Sequence, residues 1–97
     1  MFARITTVQG KPEKVDEGVR NYRENVLPAI KKLHGFKHAY LLVDRKTGVD
    51  MSVVLWDTEK DVQASIATNL QLRSQFAEAV GAVKPPTAAI YEVAEQA

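Results

Sequence analysis

Two polar residues stand where a helix would bury them. In the segment Glu59 to Val80, residues Val62, Ile66, Phe76 and Val80 form an apolar stripe at helical spacing. At 100° per residue, Asn69 and Arg73 each fall roughly 20° from the centre of that stripe. A buried Arg or Asn needs partners. One reading makes them the catalytic pair of a pocket between helix and sheet. Arg73 there supplies charge to an anionic or enolate-like ligand, and Asn69 a directional hydrogen bond. The other reading starts from Thr68 and Gln71, which repeat a capping pattern inside the helix. A break near Asn69 rotates the second half and carries both residues outward.

Three further residues are candidate substrate-binding groups. Tyr22 sits mid-stripe on an earlier helix, either presenting its hydroxyl to the pocket or serving as a core aromatic. Trp56 ends a strand, where it either walls a flat-ligand pocket or packs the strand-to-helix corner. His38 shares a strand face with Phe36 and Tyr40 and lines a cavity or a dimer seam. His34 and His38 are four apart, but Gly35 interrupts any helix between them and His-Gly-Phe-Lys-His lacks the Glu of a zinc helix. No third ligand is evident, so no metal site is expected. His34 is instead matched to the negative end of the first helix. There is no Gly-rich phosphate loop and no recognisable nucleophile–base pair.

The elements that hold these residues follow from period and punctuation. Phe2 to Val8 is β-rich, and Gly10-Lys11-Pro12 breaks it, with Pro12 suited to a first helical turn. Val15, Val19, Tyr22, Val26, Ala29 and Leu33 keep one stripe over Glu13 to Leu33. Pro28 inside that run removes one hydrogen bond and should bend the helix after Glu24, and Gly35 ends it. Phe36 to Val43 and Val49 to Trp56 form a hairpin around the turn residues Asp44 to Gly48. Thr58 caps the next helix, with Asp61 three residues on. Gly81 and Pro85-Pro86 stop that helix, and Thr87 to Ala94 is the last strand. The layout is β-α-β-β-α-β: one α+β ferredoxin-like domain over residues 1–97 with a four-stranded antiparallel sheet.

Both faces of the central hairpin are apolar. Phe36, Tyr40 and Leu42 point one way, and Ala39, Leu41 and Val43 the other; Met51, Val53 and Leu55 oppose Val54 and Trp56. Two helices cover one face. The second face calls for another copy of the chain, so a homodimer through sheet faces is expected.

Composition narrows the function classes. With 97 residues the chain has the size of one domain. Thirteen basic against twelve acidic residues leave a net charge of +1, too weak a field to gather a phosphate backbone, so nucleic acid is not an expected partner. With no cysteine there are no disulfides and no thiolate chemistry, which fits a cytoplasmic protein. No signal peptide is read at the N-terminus, and no apolar run nears the ~20 residues of a membrane helix.

The passages Val26-Leu27-Pro28-Ala29-Ile30, Gly35-Phe36, Tyr40-Leu41-Leu42-Val43-Asp44 and Leu55-Trp56-Asp57-Thr58-Glu59 resemble the antibiotic biosynthesis monooxygenase superfamily. The likeness covers nearly the whole chain, and its motifs are mostly structural. It implies a ferredoxin-like dimeric α/β barrel. It also implies cofactor-independent monooxygenation of a small aromatic or quinone-like molecule, with no cofactor. The haem-degrading branch requires an Asn, a Trp and a His at positions that fall near Ala3, Ser65 and Gln75, so haem degradation is disfavoured. Of the Asn, Trp and Tyr associated with the quinone monooxygenases, only Asn69 is a counterpart. The missing family residues leave a second expectation: a non-catalytic dimeric module that binds a small ligand or a partner.

Overall fold

The computed structural model describes residues 1–97. Strand β1 (Phe2–Gln9) leads through a 3₁₀ turn (Pro12–Lys14) into helix α1 (Val15–Asn21), a π turn (Tyr22–Val26) and helix α2 (Leu27–Ile30). Strands β2 (Phe36–Val43) and β3 (Val49–Trp56) follow, then helix α3 (Glu59–Ala79) and strand β4 (Thr87–Glu92). The sheet has four strands in the order β2-β3-β1-β4, all antiparallel. The fold is ferredoxin-like α+β, as the pattern predicts.

Pro28 acts as expected, with a specific outcome. It has no N–H for the Glu24 carbonyl, and its ring crowds that carbonyl. The helix widens just upstream: the Leu27 N–H donates to the Tyr22 carbonyl, five residues back. The chain stays helical through the bend and resumes as α2.

The expected break in the second long helix does not occur. Helix α3 is continuous from Glu59 to Ala79, so Asn69 and Arg73 keep their phase with Val62 and Phe76. The internal Thr68–Gln71 pattern does not interrupt the backbone ladder, because good helix formers, Ala64 and Ala67 before it and Leu70 to Leu72 after, flank Thr68 and Asn69. At the start of α3, Thr58 Oγ1 accepts the Asp61 N–H at 3.1 Å and donates to Asp61 Oδ2 at 2.9 Å. His34 Nδ1 lies 2.7 Å from Asp61 Oδ1, tying the end of the first helical layer to this cap. Gly35 runs between them at φ +82°, and any β-carbon there would fall on the Asp61 carboxylate. Only glycine meets both demands.

The core lies between the helices and one sheet face, built from Val8, Tyr22, Val26, Ile30, Val54, Trp56, Val62, Phe76 and Val80. The opposite face carries Ile5, Met51, Val53, Leu55, Tyr40, Leu42 and Tyr91 by register, with Tyr40 52% and Tyr91 57% exposed. The two-faced apolar hairpin is therefore present.

One strand assignment is corrected. Phe36 pairs with Trp56 and His38 with Leu55, so a bulge at Lys37 inserts one residue. One extra residue reverses the alternation. Phe36 joins Ala39 and Leu41 against the core, stacked edge-on to Trp56 at 6.0 Å. His38, Tyr40 and Leu42 occupy the open face.

Candidate functional site

A cavity opens between the helices and the middle of the sheet. It is small, with a volume of about 50 Å³. Its floor is β1 (Arg4, Thr6, Val8) and β3 (Asp50, Ser52), and its roof is Tyr22, Val26, Asn69, Leu72, Arg73 and Phe76. Five of its eleven lining residues are hydrophobic, and the others bring polar groups together in one place, as small-molecule sites do.

The elements place each group for a local reason. Alternation along β1 brings Arg4, Thr6 and Val8 to the helix side. The same alternation on β3 puts Asp50 and Ser52 in phase with the core residues Val54 and Trp56. The register sets Ser52 beside Thr6, Asp50 beside Val8 and Arg4 beside Val54. The π turn begins at Tyr22, whose hydroxyl meets Ser52 Oγ at 2.8 Å while its ring packs edge-on to Phe76 at 6.2 Å. Both readings of Tyr22 therefore hold structurally: it is a core aromatic, and its polar end is at the cavity. Burial raises its pKa, and the Ser52 hydrogen bond offsets part of that rise.

Asn69 and Arg73 both line the cavity and are half-buried. Asn69 Nδ2 donates to Ser65 Oγ at 3.1 Å, and Ser65 Oγ donates to the Val62 carbonyl at 2.7 Å. That chain fixes the orientation of the amide. Arg4 is only 7% exposed. Its pKa is lowered first by burial and then by the nearby positive charge of Arg73. Neither guanidinium takes part in an ion pair: the three pairs in the chain are Lys14–Glu17, His34–Asp61 and Arg45–Asp16.

Asp50 is the most unusual group. It is 1% exposed, and neither carboxylate oxygen has a hydrogen-bond partner. Burial pushes its pKa up to about 6.

Of the two readings given for Trp56 and for His38, the pocket reading is corrected: neither residue lines the cavity. Trp56 is 0% exposed within the core, edge-on to Phe36, and does not line the cavity; its Nε1 has no acceptor. It is the corner-packing residue, because it faces the helices where β3 runs into α3. His38 lies on the other side of the sheet, beside Tyr40 at a ring distance of 6.4 Å. The sequence reading overlooked Arg4, Asp50 and Ser52. Period-two alternation back from Trp56 through Val54 was the signal for the two β3 residues.

No helix is long and apolar enough to cross a membrane. No protein-family profile matches the chain. Among curated proteins, it is similar to the uncharacterized proteins Rv2557 and Rv2558 of Mycobacterium tuberculosis, at 33% identity over 81 residues and 32% over 77. The matches cover 84% and 79% of this chain but 36% and 33% of those proteins, so the chain spans about a third of their length. Among solved structures, it is similar to a monooxygenase of Streptomyces coelicolor, from the gene ActVA-Orf6, in complex with nanaomycin D. The TM-score is 0.82 at 17% identity, covering 99% of this chain and 89% of that one. A Deinococcus radiodurans protein assigned as an antibiotic biosynthesis monooxygenase matches with TM-score 0.75 at 15% identity, over 100% and 96% of the two chains. Rv0793 of Mycobacterium tuberculosis matches with TM-score 0.74 at 13% identity, over 99% and 97%. With β-α-β-β-α-β order, a β2-β3-β1-β4 sheet and these structural neighbours, the chain has the antibiotic biosynthesis monooxygenase fold.

Proposed function

We propose that the chain is a monooxygenase domain acting on a small aromatic or quinone-like anion, working as a homodimer in the cytoplasm. The observation that carries this reading is the pair of arginines, Arg4 and Arg73, that share one cavity and have no counter-ion in an ion pair. Like charges brought together out of water repel and lose hydration, so the arrangement is costly unless an anion completes it. The fold shared with the Streptomyces coelicolor monooxygenase supports the reaction type.

Within this reading, Arg4 and Arg73 stabilise a substrate enolate or phenolate, and Asn69 orients it by a hydrogen bond. Val26, Leu72 and Phe76 hold the flat ring system, and the Tyr22–Ser52 pair presents hydroxyls to it. The anion supplies electrons directly to molecular oxygen. A ring CH₂ plus O₂ becomes C=O plus water, which balances with no further reductant. The exposed face with Tyr40, Leu42 and Tyr91 is the surface through which a second copy packs.

Oxygen uptake with a panel of anthrones and quinols tests the proposal. Uptake that disappears in Arg73→Ala while the variant stays folded supports it. A second reading is a non-catalytic binding module. It is favoured by one observation: the matching region is about a third of longer relatives, as a module would be. Absence of turnover with all substrates, together with saturable ligand-dependent stabilisation, selects that reading.

A further inference from the structure

We propose that Asp50 is the proton acceptor for a hydroxyl on the ligand, so that the cavity selects molecules anionic at one end and O–H-bearing at the other. The inference rests on the anion site proposed above and adds its opposite pole.

The geometry separates the two poles. Asp50 lies beside Val8, and Arg4 beside Val54, four residues along β1 from Val8. At the rise of a β-strand this is about 13 Å of sheet. Arg73 lines the same cavity, and its charge lowers the pKa of Arg4. Ser52, Thr6 and Tyr22 occupy the middle. A carboxylate serving the fold would be paired with one of these guanidiniums. Asp50 lines the same cavity as both and pairs with neither. Its two buried oxygens can only accept when ionised, so the complementary ligand group is a donor. The span from pole to pole suits a fused-ring molecule better than a single ring.

The step this permits is a proton transfer. The ligand O–H bond breaks, its electron pair stays on the ligand oxygen, and the proton forms an O–H bond on Asp50. The resulting phenolate is conjugated through the rings, so its charge spreads toward Arg4 and Arg73. The elevated pKa of Asp50, about 6, suits a group that must gain and lose a proton near neutrality.

Fluorescence titration with three probes tests this: 2-naphthoate, 6-hydroxy-2-naphthoate and 6-methoxy-2-naphthoate. All three present a carboxylate, but only the second has an O–H at the far end. Wild type at pH 8 is expected to bind the hydroxy probe about tenfold or more tighter than the methoxy probe, as a charge-assisted hydrogen bond implies. In Asp50→Asn that ratio falls below about threefold. A measurement on wild type alone avoids reliance on the variant's folding. At pH 5 Asp50 holds a proton and can donate to the methoxy oxygen, so the ratio collapses. The probes' own groups titrate outside that window. The charged and titratable groups that face Asp50 in the cavity are Arg4, Arg73 and Tyr22. If 2-naphthoate binds but the hydroxy and methoxy probes bind alike at pH 8, Asp50 is not the acceptor and the anion site stands alone. If none of the three binds, the anion site fails and this inference goes with it.

Discussion

Two buried-side carboxylates on the helical side of this sheet live in opposite circumstances. Asp61 is surrounded by donors: the Thr58 hydroxyl at 2.9 Å and His34 Nδ1 at 2.7 Å, with its own N–H held by Thr58. Asp50, in the cavity, has none. Their pKa values move apart accordingly. The His34 contact, then Thr58, draws Asp61 below its ordinary value, while burial raises Asp50. A polar group whose hydrogen bonds are all made inside the chain belongs to the architecture. One left bare in a cavity points outward to a ligand. The same contrast separates the arginines: Arg45 is paired with Asp16 at 3.0 Å, and Arg4 and Arg73 are unpaired.

The comparison is sharpest at Gly35. An alanine there meets an unfavourable φ and displaces the Asp61 carboxylate, so Gly35→Ala should destabilise the fold by about 3 kcal/mol, combining left-handed strain with loss of a cap. Urea unfolding measures it. If the cavity is separate from this architecture, the residual folded protein still binds 2-naphthoate.

Asp50 should show the reverse sign. Its folded pKa of about 6 exceeds the ordinary 3.8, so the native state holds the proton more tightly than the unfolded chain. Stability therefore falls as pH rises from about 4 to 6, by about 2–3 kcal/mol, and stays low above that. In Asp50→Asn the fall should vanish, with a net gain of about 1–2 kcal/mol at pH 7 because the amide is still buried. Asp61 works oppositely: its stabilisation is present above its unfolded pKa and is lost as pH falls through the lower folded value. Unfolding curves at a series of pH values in both proteins separate the two. A wild type whose stability climbs steadily from pH 4 to 6 would contradict the assignment of Asp50.

Arg73→Ala should weaken 2-naphthoate binding about tenfold or more and leave the unfolding midpoint unchanged or slightly raised, since no internal ion pair is lost. A large loss of stability with unchanged binding would place Arg73 with the architecture instead. The smallest effect belongs to His34→Ala. The His34 side chain is 93% exposed, so water screens its pairing with Asp61. The unfolding midpoint should shift by no more than a few degrees, and less at high salt.

Much of this was legible in the residues. Helix and strand periods, the Gly35 stop and the Thr58 cap gave element types and order, because each is decided by neighbours a few positions apart. The phase of Asn69 and Arg73 relative to Val62 and Phe76 follows from helical geometry alone, and so their sharing of a face with the core was readable. His38 and Trp56 both stand outside the cavity, which leaves the dimer-seam reading of the first and the corner-packing reading of the second. His38 keeps the alternation it shares with Tyr40 and Leu42 on the open face; the bulge at Lys37, a product of pairing with β3, moved Phe36 away from it to the core side. Trp56 had the right face but the wrong depth: it lies in the core rather than on the cavity wall.

The residues by themselves determined the β-α-β-β-α-β order and the two apolar faces of the hairpin, because periodicity and turn chemistry are local. Only the tertiary structure decided that Arg4 and Arg73 line one cavity and that Asp50 is left bare in it. That outcome depends on the register of β1 against β3 and on how α3 lies across the sheet. Both are set by packing between segments far apart in the chain, where no local pattern reaches.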